Sequence, residues 1–153
     1  NQDFLRTAMS SHEGKKVGLY DFILKCEKAS EELKMDKSLI HRDLNVGFSG
    51  GERKKSEILQ LLMLKPEFAI LDETDSGLDV DAVRVVSKGI KEYKEKYNGS
   101  LLIITHSTKI LESLDVDDTH VLVKGHIVKT GDGSLIQEIN NNGFEQFIPK
   151  DCE

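Results

Sequence analysis

Phe48-Ser49-Gly50-Gly51-Glu52-Arg53-Lys54-Lys55 is the stretch on which the fold of this chain turns. It reads as a helix start. Ser49 can cap the helix, and Glu52 stands three residues further on, the spacing of a capping box. A well-capped surface helix accounts for that much, but not for the glycine pair. Each glycine weakens a helix relative to alanine by roughly 1 kcal/mol. Glycines at a helix start are useful where backbone N–H groups must come close to something, and a helix N-terminus attracts anions. A phosphate-facing helix start is therefore the first functional expectation, to be weighed against the rest of the chain.

On the C-terminal side the helix continues through Ile58, Leu59, Leu61, Leu62 and Met63 and stops at Lys65-Pro66, since proline disfavours helix in the residue before it. The pattern then changes. Phe68-Ala69-Ile70-Leu71 is a short, wholly apolar run followed at once by Asp72-Glu73, and Leu101-Leu102-Ile103-Ile104 is a second such run followed by Thr105-His106. Short all-apolar strands are typical of parallel sheets buried on both faces. Between them Asp79 can cap a helix carrying Ala82, Val83, Val86, Ile90, Tyr93 and Tyr97, which Asn98-Gly99 ends. Strand, helix, strand at these lengths is a βαβ unit with a right-handed crossover.

On the N-terminal side residues 3–9 and 17–33 read as helices, with a short helical turn at Asp36 to Ile40 and no strand before Gly47. Beyond the βαβ unit a short helix is expected near Thr108 to Leu114. A hairpin follows, with Val121-Leu122-Val123 and Ile127-Val128 flanking Lys124-Gly125-His126. Terminal helices are expected at Leu135 to Ile139 and Phe144 to Ile148, with Asn140 to Gly143 as a loop between them. The expected architecture is α/β, with a helical part over residues 1–66. A mainly parallel α/β core with a C-terminal hairpin occupies residues 67–153.

Bulk properties narrow the classes. At 153 residues, with 38% hydrophobic and 31% charged residues, the chain can build a core. No apolar run nears the roughly 20 residues of a membrane-spanning helix, so no direct membrane insertion is expected. Residues 1–66 carry a net +2 and residues 67–153 a net −8. An acidic second half argues against nucleic acid as the partner. Cys26 and Cys152 form neither a disulfide framework nor a metal set, and free reduced thiols of an intracellular protein are expected. The start at Asn1 reads as internal.

In open α/β sheets, ligands bind beyond the carboxyl ends of the strands. Neighbouring strands would bring Asp72, Glu73 and His106 together there. Adjacent strand residues point to opposite faces, so the two carboxylates cannot share one task. One can hold a Mg²⁺, directly or through water; the other can orient or deprotonate an attacking water. His106 can hydrogen-bond a phosphate oxygen. That is a set for phosphoryl transfer to water. Singly, each residue is better read as a solvated loop carboxylate or a capping histidine. With the Ser-Gly-Gly helix upstream and Ser76-Gly77-Leu78-Asp79 downstream, the joint reading prevails.

Phe48 to Glu52 resembles the signature motif of ABC-type ATPases. Phe68 to Glu73 resembles their Walker B strand with its catalytic glutamate, Ser76 to Asp79 their D-loop, and His106 their switch histidine. Within that family, Asn45-Val46-Gly47, Glu52 to Gln60 and Leu71 to Asp79, with its Thr74-Asp75 pair, resemble the SufC branch, the soluble ATPases of the Suf iron–sulfur cluster assembly system. The resemblance implies ATP hydrolysis with Mg²⁺, with Glu73 and His106 catalytic and Asp72 supporting the metal. It also implies that Ser49, Gly50, Gly51, Glu52 and Asp79 serve ATP in trans across a transient homodimer. The implied partners are SufB- and SufD-like scaffold proteins, and the implied location a bacterial cytosol or a plastid stroma. No Gly-x-x-x-x-Gly-Lys-Ser/Thr occurs in the 153 residues. The Walker A loop and the Q-loop are therefore expected before Asn1, and the chain alone is expected neither to bind ATP tightly nor to hydrolyse it. Two rival expectations are an ATPase subunit of a membrane transporter and a non-catalytic interaction module.

Overall fold

A computed structural model describes residues 2–42 and 46–148. The chain divides into two compact units, Asn1–Ile110 and Leu111–Glu153.

In the first unit, α1 (Gln2–Glu13), α2 (Leu19–Glu32) and a 3-10 turn (Lys37–His41) precede α3 (Gly50–Leu64). The expected first two helices are there, α1 running four residues further than predicted and α2 starting two residues later. Asp36 caps the 3-10 turn by accepting the Ser38 N–H at 2.8 Å. Apolar side chains of all three helices are buried together: Leu5 and Met9 from α1, Phe22 and Cys26 from α2, and Ile58, Leu59 and Leu62 from α3. Burial pushes the Cys26 thiol up to about 12, so it stays protonated and unreactive at neutral pH. Cys152 lies outside the described residues.

Helix α3 ends where the sequence predicts. Lys65 takes the left-handed conformation (φ 48°), and its N–H caps the helix on the Leu61 carbonyl. Proline then bars continuation. β1 (Phe68–Asp72), α4 (Val80–Tyr97) and β2 (Ser100–Ile104) form the βαβ unit. The two strands are parallel neighbours, pairing Phe68 with Ser100 and Asp72 with Ile104. Tyr93, buried on α4, donates its hydroxyl to the Pro66 carbonyl ahead of β1. Helix α4 packs against α3 at Gly89, where an added Cβ would lie 2.5 Å from Ile58 Cγ2 and 3.0 Å from Leu33 Cδ2.

One expectation is corrected. The strands are not buried on both faces. Ala69, Leu71, Leu101 and Ile103 lie on a covered or half-covered face, whereas Phe68, Ile70, Leu102 and Ile104 are 56, 58, 46 and 46% exposed. Side chains alternate across a strand, and no further strand flanks this two-stranded sheet among the described residues.

After a 3-10 turn at Thr108–Leu111, the second unit contains β3 (Thr119–Val123), β4 (His126–Gly131) and α5 (Ser134–Asn142). The hairpin is antiparallel, as expected. Val121, Leu135 and Ile139 form its small core, with Val123, Val128 and Phe147 packed around it. The predicted Asn140–Gly143 loop is mostly helix: α5 runs through Asn142, and Gly143 (φ 74°) ends it. The predicted last helix is a single 3-10 turn, Glu145–Phe147.

Candidate functional site: two strand ends and a glycine-bearing helix start

The capping box predicted at α3 is formed. Ser49 Oγ accepts the Glu52 N–H at 3.3 Å, and Glu52 Oε2 accepts the Ser49 N–H at 2.7 Å. That backbone N–H, with a smaller contribution from Arg42, holds the Glu52 carboxyl below its ordinary range. The Glu52 side chain is thus spent on its own helix start. Phe48 is buried and anchors the entry, and its carbonyl accepts Arg53 Nε at 3.2 Å. Ser49 and Gly50 remain exposed and Gly51 is half-buried. A Cβ at Gly50 would meet nothing within 4 Å, and one at Gly51 would touch only Leu78 Cδ2, at 3.7 Å. The Ser49–Gly51 and Ser76–Asp79 stretches therefore adjoin. Neither glycine is demanded by packing within the chain, so the pair has no structural explanation here.

At the carboxyl ends of β1 and β2 the structure brings Glu73 and His106 together. Glu73 Oε1 lies 3.7 Å from His106 Nδ1, with side chains 56 and 69% exposed. Glu73 adopts a left-handed backbone (φ 46°), uncommon for a residue with a Cβ. Its N–H donates to the Ile104 carbonyl at 2.8 Å, and its carbonyl accepts the Ser76 N–H at 3.1 Å. The conformation is thus pinned by β2 on one side and a turn on the other. Asp72, the last residue of β1, shares the exposed face with Phe68 and Ile70 and is not joined to the Glu73–His106 pair. No hydrogen bond or ion pair engages its carboxylate among the described residues. A single free carboxylate suits Mg²⁺, which keeps several waters and takes most remaining ligands from substrate phosphates. No group of three or more metal-ligating side chains occurs among the described residues. Asp79 caps α4, accepting the Ala82 N–H at 2.7 Å.

Sequence reasoning missed one feature. Asp75 is buried, 6% exposed, and both its carboxylate oxygens lie 3.0 Å from the Thr105 hydroxyl. Thr105 Oγ1 in turn accepts the Ser107 N–H at 2.9 Å. The loop after β1 is therefore fastened to the loop after β2. A polar Thr105 placed directly between an apolar strand and His106 was the available signal.

No family model matches the chain. It is 46% identical over 147 residues to Vegetative protein 296 of Bacillus subtilis, covering 95% of this chain and 56% of that protein. It is 45% identical over 146 residues to a probable ABC transporter ATP-binding protein of Streptococcus pyogenes, covering 94% and 57%. Among solved structures, the ATP-binding cassette MJ1267 of an ABC transporter superposes with a TM-score of 0.63 at 26% identity, over 84% of this chain and 51% of that one. Over nearly its whole length the chain is thus similar to ABC transporter ATP-binding proteins, and it shares the fold of their cassettes. Its homologues include the iron–sulfur cluster assembly protein SufC of Plasmodium falciparum, 41% identical over 152 residues, covering 97% of this chain and 44% of that protein. The chain spans about half the length of the curated relatives it matches.

Proposed function

We propose that this chain forms the signature-, Walker B- and switch-bearing part of a SufC-type ATPase, which hydrolyses ATP with Mg²⁺ to drive rearrangement of SufB- and SufD-like scaffold partners. The observation that carries the reading is the Glu73–His106 pair, 3.7 Å apart at the ends of adjacent parallel strands and open to solvent. Glu73 would orient and polarise the attacking water. His106 would contact the γ-phosphate. Asp72 would hold the metal through its water shell, and the metal would neutralise charge on the phosphates. Ser49, through its hydroxyl, and the open N–H groups of Gly50 and Gly51 would close on ATP bound to a second subunit, as a helix N-terminus suits anionic phosphate. Asp79 would organise that dimer interface. Residues 1–66 would present the helix start and residues 67–153 the strand ends. No helix among the described residues is long and apolar enough to cross a membrane, in keeping with a cytosolic or stromal ATPase.

The 153 residues contain no Walker A loop, and that loop supplies most of the phosphate cradle. The isolated chain should show no Mg-ATP turnover; measurable turnover would refute this part of the reading. In the intact ATPase, Glu73→Gln should reduce hydrolysis by roughly 100-fold or more while the protein stays folded. Unchanged hydrolysis would defeat the assignment of Glu73. The Streptococcus relative favours a second reading, an ATP-binding subunit of a membrane transporter. Affinity capture separates the two: SufB- and SufD-like proteins are expected with the intact protein, a membrane permease on the second reading.

A further inference from the structure

Glu73 and His106 belong to different loops, and both are more than half exposed, so their mutual placement needs an explanation from beneath. The 3.7 Å gap between them is longer than a hydrogen bond, and an exposed polar contact of that kind holds little geometry by itself. Two residues beyond Glu73 the chain turns inward and buries Asp75; one residue before His106 it turns inward at Thr105. Thr105 has one hydroxyl proton. The Asp75 carboxylate and the Ser107 carbonyl both lie 3.0 Å from its oxygen, and the ionised acceptor makes the stronger bond. The Ser107 N–H then donates back to Thr105 Oγ1, closing a small turn around His106. Backbone bonds already join Glu73 to Ile104 and Ser76. The Asp75–Thr105 bond is a side-chain tie between these two loops, made two residues after Glu73 and one before His106.

We propose that Asp75 and Thr105 are positioning residues of the ATPase: a buried latch that holds the left-handed Glu73 and the switch His106 in one fixed relation. This rests on the reading of Glu73 as the residue that orients water. The latch touches neither nucleotide nor water, so it acts only through Glu73 and His106. It should therefore affect the chemical step and leave nucleotide affinity alone, since misplacement of about 1 Å can cost roughly 100-fold in rate.

The experiment uses the intact ATPase, with kcat and KM for Mg-ATP measured alongside thermal unfolding. Thr105→Val removes the hydroxyl at constant shape and should lower kcat by roughly 10–100-fold, with KM changed by less than about twofold. Thr105→Ser restores the hydroxyl and should recover most of kcat. Thr105→Val also leaves the Asp75 carboxylate buried without its donor. The double change Asp75→Leu/Thr105→Val removes both partners, which can be nearly neutral for stability; it should recover the melting temperature but not kcat. On a Glu73→Gln background, Thr105→Val should bring a smaller loss than it does alone, because only the placement of His106 is then left to lose; an undiminished loss would mean that the bond does not act through Glu73 and would overturn the latch. If Glu73→Gln is inactive while Thr105→Val keeps kcat within about twofold, the latch is refuted and the ATPase reading stands. A kcat that returns with the melting temperature in the double variant makes the bond merely structural and also overturns the latch. Full activity of Glu73→Gln overturns the underlying reading itself.

Discussion

At Glu73 the conflict between backbone preference and side-chain task is sharpest. Its φ of 46° is left-handed, a region that costs an L-residue roughly 1–2 kcal/mol. Strain of this kind is kept where the surroundings over-determine it and a function benefits. Glu73→Gly should release it. After allowance for the greater freedom of glycine in the unfolded chain, a net gain of about 0.5 kcal/mol is expected, while Glu73→Val should lose about 1 kcal/mol or more. Urea unfolding of the chain measures both; a Glu73→Gly variant less stable than the parent would count against strain. Gly51 makes the complementary case. An added methyl meets only Leu78, at an ordinary 3.7 Å, and alanine is the better helix former by roughly 1 kcal/mol. Gly51→Ala should leave the chain as stable or slightly more so, yet on the proposed function, in which the glycine serves the nucleotide of a second subunit, the intact ATPase should lose most of its hydrolysis. Retained hydrolysis would place Gly51 outside the nucleotide site.

Elements were the most legible scale. The capping box, the proline stop after α3, the βαβ order and the hairpin all follow from local chemistry that the sequence displays openly. Helix ends were less legible: the 140–143 stretch of asparagines and a glycine carries loop composition, yet α5 buries Leu135, Ile136 and Ile139, and that packing carries the helix through Asn142. The strand-end pair was legible because strands as short as β1 and β2 put their following residues side by side. The Asp75–Thr105 tie was not: Thr105 after an apolar strand marks one end, but a bond across 30 positions leaves no local pattern that names its partner. The capping box yields a pH prediction. Glu52 is held below its ordinary value of 4.5 by the Ser49 N–H. A carboxyl depressed in the folded state stabilises above its unfolded pKa, and that contribution is lost as pH falls through the folded pKa. The stability difference between the parent and Glu52→Gln should therefore be present at pH 6–7 and shrink below about pH 4.5. A difference that stays constant to pH 3 would exclude the carboxylate as its source. The α3–α4 contact gives a steric counterpart: Gly89→Ala forces a methyl to within 2.5 Å of Ile58 Cγ2 and should cost about 1–3 kcal/mol by overpacking, read as a lower unfolding midpoint.

For the chain taken whole, the decisive feature is the bare face of the parallel pair. The sequence reports, through two uninterrupted apolar runs, that both faces of these strands are suited to burial; it does not report what covers them. Phe68, Ile70, Leu102 and Ile104 stand about half exposed on one side, and Ile70 and Leu102 are register partners at its centre. Each strand also has an unpaired edge among the described residues. Apolar surface of this kind gains roughly 25 cal/mol for each Å² removed from water, and open edges offer backbone groups to any second strand. The isolated chain should therefore associate with copies of itself through this face as concentration rises. Ile70→Thr with Leu102→Thr keeps β-branched character, which strands favour, while removing the apolar centre. Light scattering should show the parent growing in mass with concentration and the double variant remaining monomeric. Equal association of the two would mean that copies meet elsewhere. In the intact ATPase the same double change should act in the opposite sense and lower stability, because there the face is expected to be covered. Loss of association in the isolated chain together with loss of stability in the intact protein is the paired result that identifies this face as part of a larger sheet-bearing core.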